Sequence, residues 1–310
     1  MCRSLLLVVP LLLTGLVAAG QTTQPATRPG VIRGVVIISI DGLRPDVLLR
    51  ADAPVLRDMM ARGSFTMWAK TTPQSITLPS HVSMLTGVDP NTHGIQWNSD
   101  LPLERPVYPS MPTIFELARR AGYSTALVSG KMKLAALLVP GTVDASWIAD
   151  DGSTEDATVC QQAIRIIREK KPDVMFVHLA SVDVVGHNAG WGTDEQLTAV
   201  RTADACVGRV LDALRDIGRL DEMLIIVTSD HGGAGRTHGP EDPRSRSIPW
   251  IAVGPGVRAD FDLSRFGKGH DVQTYDTFAT ACHALGLRVQ KRVEGKPVVQ
   301  IFEKAELLDR

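Results

Sequence analysis

Three aspartates and three histidines in this chain have the types and spacing to bind metal: Asp41, Asp183, His187, Asp230, His231 and His238. Carboxylate oxygen combined with neutral imidazole nitrogen suits borderline divalent ions such as zinc, which keep a coordination position open in catalytic sites. In Asp183-Val-Val-Gly-His187 the two groups are four residues apart, a separation that turns both toward a common atom on one helical face, and Gly186 permits close approach. Asp230 and His231 are adjacent and precede Gly232 and Gly233, so a tight turn can send them to two different ions. His238 follows between Thr237 and Gly239. The six make two three-ligand sites, with Thr77 placed to bridge them. From spacing alone, the ordinary role of Thr77 is a helix N-cap, with Pro79 opening the helix that follows. A hydroxyl at a helix N-terminus is also close to free N–H groups and a positive dipole end, both of which favour an anionic oxygen.

These side chains need a scaffold that brings them together. Residues 35–40, 124–129, 174–179, 224–228 and 248–253 are short apolar runs rich in β-branched residues, as expected of strands covered on both faces. Residues 111–121, 155–170, 194–215 and 275–285 show helical spacing. Strands alternating with helices of this length predict an α/β fold, a largely parallel central sheet with helices on both faces. Functional groups in such sheets gather at the carboxyl ends of the strands. Asp41, Asp183 and the pair Asp230 and His231 each follow such a run.

Composition bounds the rest. The chain has 310 residues, 44% hydrophobic and 22% charged, with 33 basic against 34 acidic residues and a formal net charge of -1. Nothing in that balance argues for a nucleic-acid or anionic-membrane partner, so an anionic substrate must be attracted locally. Residues 1–20 have a cationic start, an apolar stretch shorter than the roughly 20 residues of a membrane span, and small residues at its end. They read as a signal peptide, a membrane anchor being the alternative. Residues 21–30 are polar, Pro-containing and aperiodic, a flexible tether, and residues 31–310 are expected to form one catalytic domain in an exported protein with no membrane span after signal removal. Cys160, Cys206 and Cys282 fall in helical stretches and read as buried apolar residues, although one pair could join in an oxidising compartment.

The ordered set Ile40-Asp41-Gly42, Thr77-Leu-Pro-Ser-His81, Asp183-Val-Val-Gly-His187, Ser229-Asp-His-Gly-Gly233 and Thr237-His-Gly239 resembles the alkaline phosphatase superfamily. Within it the chain is most similar to the type I phosphodiesterase/nucleotide pyrophosphatase branch. The resemblance implies an alkaline-phosphatase-like three-layer αβα sandwich. It implies one zinc on Asp183, His187 and His238, a second on Asp41, Asp230 and His231, and Thr77 as the nucleophile between them. His238 is preferred to His270 because a strand ending in Gly254-Pro255 follows it, as in the family. Asn98 matches the family's asparagine that hydrogen-bonds a phosphoryl oxygen. Ser80 departs from the asparagine often found there, and the chain is short for a nucleotide pyrophosphatase. Sulfatases require Cys or Ser where this chain has Thr77.

The resemblance therefore implies a two-zinc hydrolase of small phosphate esters, a phosphodiesterase acting through a phosphothreonine intermediate. Three carboxylates (-3) against two dications (+4) leave +1, which suits a diester monoanion, whereas a monoester dianion asks for one more cation. Lys131 or Lys133 could supply it, as lysines do in related phosphonate and monoester hydrolases; their ordinary reading is a solvated loop. A non-catalytic zinc-binding protein of the same fold is the alternative of another class. The remaining histidines read as supporting residues: His81 and His93 shape the nucleophile and Asn98 segments, His178 is a buried strand residue and His283 a helix-face residue.

Overall fold

The computed structural model describes residues 31–99, 107–150, 155–240, 242–266 and 271–303. The expected signal peptide and tether, and His270, lie outside these residues. Eight strands form one sheet: β1 (Gly34–Ile40), β2 (Ser64–Lys70), β3 (Thr125–Ser129), β4 (Ala145–Ile148), β5 (Val174–Leu179), β6 (Met223–Thr228), β7 (Ser247–Val253) and β8 (Phe261–Asp262). Their order is β4-β3-β5-β1-β6-β7-β2-β8. The helices are α1 (Pro45–Arg50), α2 (Pro54–Arg62), α3 (Thr77–Thr86), α4 (Pro90–His93), α5 (Ile114–Arg120), α6 (Asp156–Lys170), α7 (Ser181–Ala189), α8 (Asp194–Asp216), α9 (Pro243–Arg246) and α10 (Asp276–Ala284).

The alternation of side chains along β1 divides the core into two layers. Val36, Ile38 and Ile40 pack with α1, α2, α6 and α8, while Val35 and Ile37 pack with α3, α5 and α10 on the opposite face. The result is the expected three-layer sandwich. Each face buries a continuous set of aliphatic side chains, and at about 25 cal/mol per Å² of apolar surface removed from water this is the main force holding the sheet between its helices.

β1 lies between β5 and β6 and runs parallel to both, with Ser39 opposite His178 and Thr228. All three strands thus end at the same edge, which delivers Asp41, the start of α7 and the segment 229–231 to one place. β7 is the exception within the largely parallel sheet, antiparallel to both β6 and β2. An apolar run carries no sign of its direction. The segment 229–246 with the four-residue α9 returns the chain beside β6 in the antiparallel direction.

Cys160, Cys206 and Cys282 are buried and free, with the Cys160 thiol 3.8 Å from the Cys206 carbonyl across the α6–α8 contact. Among the described residues no helix is long and apolar enough to cross a membrane.

Candidate active site

Asp41 leaves β1 and enters a turn in which Gly42 has φ +73°. A Cβ on Gly42 would lie 3.0 Å from the Asp183 Cα, a tight contact added to the left-handed backbone, so glycine suits the place where this turn meets α7. The turn is pinned to the end of β6 by Gly42 N–H donating to Asp230 Oδ1 (3.2 Å) and Leu43 N–H donating to Ser229 Oγ (3.0 Å). Strand ends 188 residues apart in sequence are thereby fixed side by side.

Two sets of donor atoms converge here. In one, Asp41, Asp230 and His231 offer ligand atoms that all lie within 4.8 Å of one another; in the other, Asp183, His231 and His238 do the same. His231 Nε2 is the shared member, 3.3 Å from Asp41 Oδ1, 3.2 Å from Asp230 Oδ2 and 3.9 Å from Asp183 Oδ1. His238 Nε2 is 3.8 Å and His187 Nε2 3.5 Å from Asp183 Oδ1. His187 is the outermost of the six, with 43% of its side chain exposed. The structure thus brings all six residues to one place, with His231 more central and His187 more peripheral than the division into two triads implies.

Each of the three candidate imidazole ligands has a defined tautomer. The Nδ1 atoms of His187, His231 and His238 lie 2.9, 2.8 and 2.9 Å from the backbone carbonyls of Arg236, Gly232 and Ser75. A carbonyl only accepts, so Nδ1 carries the proton and the Nε2 lone pair faces inward, as a metal ligand requires. Ser75 turns its carbonyl to His238 from a left-handed backbone, φ 50°. Burial and the neighbouring His238 push His231 down to about 4, and burial also lowers His238, so both are neutral at ordinary pH.

The carboxylates supply the complementary half. Asp41 Oδ1, Asp183 Oδ1 and Asp230 Oδ2 are buried without a hydrogen-bond partner. A buried, unpaired carboxylate oxygen is costly, and burial together with the adjacent Asp41 raises the Asp230 pKa well above the usual carboxylate range. Three inward oxygens next to three imidazole lone pairs make a donor set that divalent cations satisfy, and the residues present fit such ions.

The other oxygens of Asp41 and Asp183 face Lys131. Its Nζ is 2.7 Å from Asp41 Oδ2 and 2.5 Å from Asp183 Oδ2, and 3.5 Å from Thr77 Oγ1. The solvated-loop reading of this lysine is corrected: it stands just past Gly130 at the end of β3 and is 7% exposed. Burial alone would lower its pKa, but Asp41, Asp183 and Asp230 raise it, so it stays charged. Burial works against ionisation of Asp41 as well, yet Lys131, His178 and His231 hold its pKa well below the ordinary value. The second lysine, Lys133, instead donates to the Asn98 carbonyl at 2.8 Å.

Thr77 is the first residue of α3 rather than its cap. Ile76 is the N-cap and makes no side-chain capping bond, while Pro79 is the third helical residue, where its missing N–H has no intrahelical partner to lose. The Thr77 hydroxyl, released from capping, faces His231 Nε2 at 3.3 Å. Asn98 Oδ1 accepts from Leu78 N–H at 2.9 Å, which leaves its Nδ2 amide as the donor at the helix start. Ser80 Oγ lies 3.1 Å and 2.9 Å from the Thr71 and Thr72 hydroxyls, tying α3 to the loop that contacts the Asp230 carbonyl through Thr71.

Two further histidines support the ligands. His178 Nε2 donates to Asp41 Oδ2 at 2.9 Å, and His81 Nδ1 donates to the Thr77 carbonyl at 2.8 Å with Asp230 Oδ2 at 3.5 Å. His178 is therefore more than a buried strand residue; strand alternation alone did not tell that it faces Asp41. His93 contacts Ser83 and Pro79 and holds the loop after α4.

Residues 35–238 match the profile of the family described as type I phosphodiesterase / nucleotide pyrophosphatase. An uncharacterized pyrophosphatase/phosphodiesterase of Schizosaccharomyces pombe is 26% identical over 218 residues, covering 64% of this chain and 44% of that protein. The chain spans under half the length of the curated relatives it matches. Human ectonucleotide pyrophosphatase / phosphodiesterase 5 superposes with a TM-score of 0.71 at 14% identity, over 87% of this chain and 100% of that one. A phosphonate monoester hydrolase of Agrobacterium radiobacter superposes at 0.67 and 18% identity, over 89% and 77%. At these identities the solved structures establish the shared fold alone.

Proposed function

The chain belongs to the type I phosphodiesterase/nucleotide pyrophosphatase family, and from that premise we propose that it is a two-zinc hydrolase of phosphate esters, cleaving diester or pyrophosphate linkages through Thr77. The observation that carries this reading is the position of Thr77 Oγ1, buried at the start of α3 and 3.3 Å from the imidazole shared by both donor sets. Asp183, His187 and His238 would hold one zinc and Asp41, Asp230 and His231 the other. When bound, such ions polarise the phosphoryl group and favour the ionised hydroxyl.

The chain's own groups account for the remaining steps. Thr77 Oγ forms a bond to phosphorus as the bond to the leaving oxygen breaks, and the leaving group departs with a proton. Water then cleaves the threonine–phosphorus bond of this intermediate, which still carries the second ester group, restoring the hydroxyl and releasing a phosphomonoester. The Asn98 Nδ2 amide and the Thr77 N–H at the start of α3 donate to the non-bridging oxygens, where negative charge accumulates, the Leu78 N–H being held by Asn98 Oδ1. Asp41 and Asp183 are held in place from behind by Lys131 and His178, so little reorganisation accompanies the reaction. The apolar stretch in residues 1–20 supports export, which places the substrate outside the cytoplasm.

A second reading has a specific observation in its favour. Counting Lys131, the site charge becomes +2 with two dications (-3, +1 and +4), or +1 once Thr77 is ionised, a balance that also accepts a monoester or phosphonate dianion. Zinc-loaded protein assayed on a nitrophenyl diester and the corresponding monoester separates the two, the first reading expecting the higher kcat/KM on the diester. Lys131→Met is expected to lower monoester turnover by roughly 10²–10³-fold and diester turnover by under about tenfold, because a buried cation is worth most against the extra charge. Equal losses on both esters, with zinc content retained, would remove Lys131 from substrate discrimination. Stoichiometric zinc with no turnover on either ester or on a pyrophosphate would instead support a binding protein.

A further inference from the structure

Trp191 is joined to every loop that delivers a ligand. Its backbone N–H donates to Gly235 O (2.8 Å) in the loop between His231 and His238, and its indole Nε1–H donates to Gly42 O (2.9 Å), beside Asp41. Its own position follows α7, the helix of Asp183 and His187, between Gly190 and Gly192 at φ +115° and +87°. The ring fills a slot left by two glycines: a Cβ on Gly186 would approach it to 2.9 Å, and one on Gly233 to 2.2 Å. It is 8% exposed.

The indole also forms the wall behind two imidazoles. It meets the His187 ring edge-on at 5.2 Å between centroids, 86° between planes, and the His238 ring at 6.0 Å and 68°. His187 and His238 face each other at 5.0 Å. His187 needs such a wall more than any other candidate ligand, since nearly half of its side chain meets solvent and, besides the His238 ring and Asp183, the bond from Nδ1 to Arg236 O restrains it. His231 lies enclosed at the other end of the row, stacked on His238 at 3.7 Å, and makes no ring contact with Trp191.

We infer that Trp191 is a positioning residue for one of the two metal sites: it fixes the imidazoles of His187 and His238 toward Asp183, and without it that site loses affinity while the site of Asp41, Asp230 and His231 keeps its own. The inference rests on the two-site reading above. Restraints behind a ligating imidazole are commonly worth 10–100-fold in metal affinity, and the effect here falls on one site because the indole contacts the rings of only that site.

The test is a zinc titration of the full chain against a chromophoric chelator, resolving the two dissociation constants for wild type, Trp191→Leu and Trp191→Phe. In the Leu variant one constant is expected to weaken by about 10–100-fold with the other within about threefold. The Phe variant keeps a ring against both imidazoles and loses the bond to Gly42 O, so its weaker site should lie between wild type and the Leu variant. Two unchanged constants in both variants would overturn the inference, and so would equal weakening of both sites, which would mark Trp191 as a general packing residue. A wild type that binds a single zinc would overturn the two-site reading, and this inference with it.

Discussion

Thr77→Ala is expected to lose roughly 10⁴–10⁶-fold in kcat while its zinc content stays that of the wild type, since removing a covalent nucleophile costs on this scale. The separation of the two effects follows from the geometry. Thr77 is not among the six candidate ligands, so the metal donors are intact in the variant. It does not cap α3 either, because Ile76 occupies that position without a side-chain bond, so the helix start is retained. Alanine keeps the backbone and Cβ and leaves only a small void in a buried site, at a cost of about 1 kcal/mol. Thr77→Ser, which keeps the hydroxyl, should recover much of the lost rate. Rates on the best ester together with zinc analysis of the same preparations decide the matter; full activity in the alanine variant would remove the nucleophile assignment.

The second large effect is expected from removing the metal. Among the described residues, Asp41, Asp183 and Asp230 each bury an oxygen without a hydrogen-bond partner, and Lys131 is the one ammonium that bridges any of them. Withdrawing two dications leaves that cluster uncompensated. Treatment with a strong chelator should reduce turnover by at least about 10³-fold, the equivalent of the several kcal/mol a metal contributes to phosphoryl transfer. It should also lower Tm by about 5–10 °C, given the stabilisation of about 2.7 kcal/mol that a ligand at 100 times its Kd provides. Added zinc should restore both. Unchanged rate and Tm after verified removal of metal would show that the six residues serve another purpose.

Much of this arrangement was legible in the residues themselves. The runs ending before Asp41, Asp183 and Asp230 are apolar and sharply bounded, and the parallel topology they imply sends their ends to one edge. What escaped was decided by contacts between distant segments. Whether Thr77 caps α3 or begins it is a difference of one residue in a helix boundary, below the resolution of spacing. Lys131 is buried only because Asp41 and Asp183 arrive from other strands to pair with it, and a local segment rich in lysine gives no sign of that. The role of His178 depends on its register opposite Ser39, which places it near Asp41. Trp191 carried no motif; its meaning lies in Gly42, Gly186, Gly233 and Gly235 converging around it.

Whole elements were missed for the same reason. β2 mixes polar and apolar residues, and it becomes a strand by pairing with β7 across a register shift. α1 and α2 are only six and nine residues long, too short for a clear period, and each opens with a proline that suits the first helical turn. The antiparallel direction of β7 is not written in its own composition.

The central claim is that phosphorus passes through Thr77. Its most direct test is to quench zinc-loaded protein in acid during turnover of a phosphorus-labelled diester, digest it and locate the label by mass spectrometry. The account predicts one phosphoryl group on the peptide containing Thr77, still carrying the ester group that did not leave, absent from the Thr77→Ala variant and from protein quenched before substrate. Steady turnover with no labelled peptide under conditions where an acid-stable threonine phosphoester would accumulate, or a label on another residue, would contradict it.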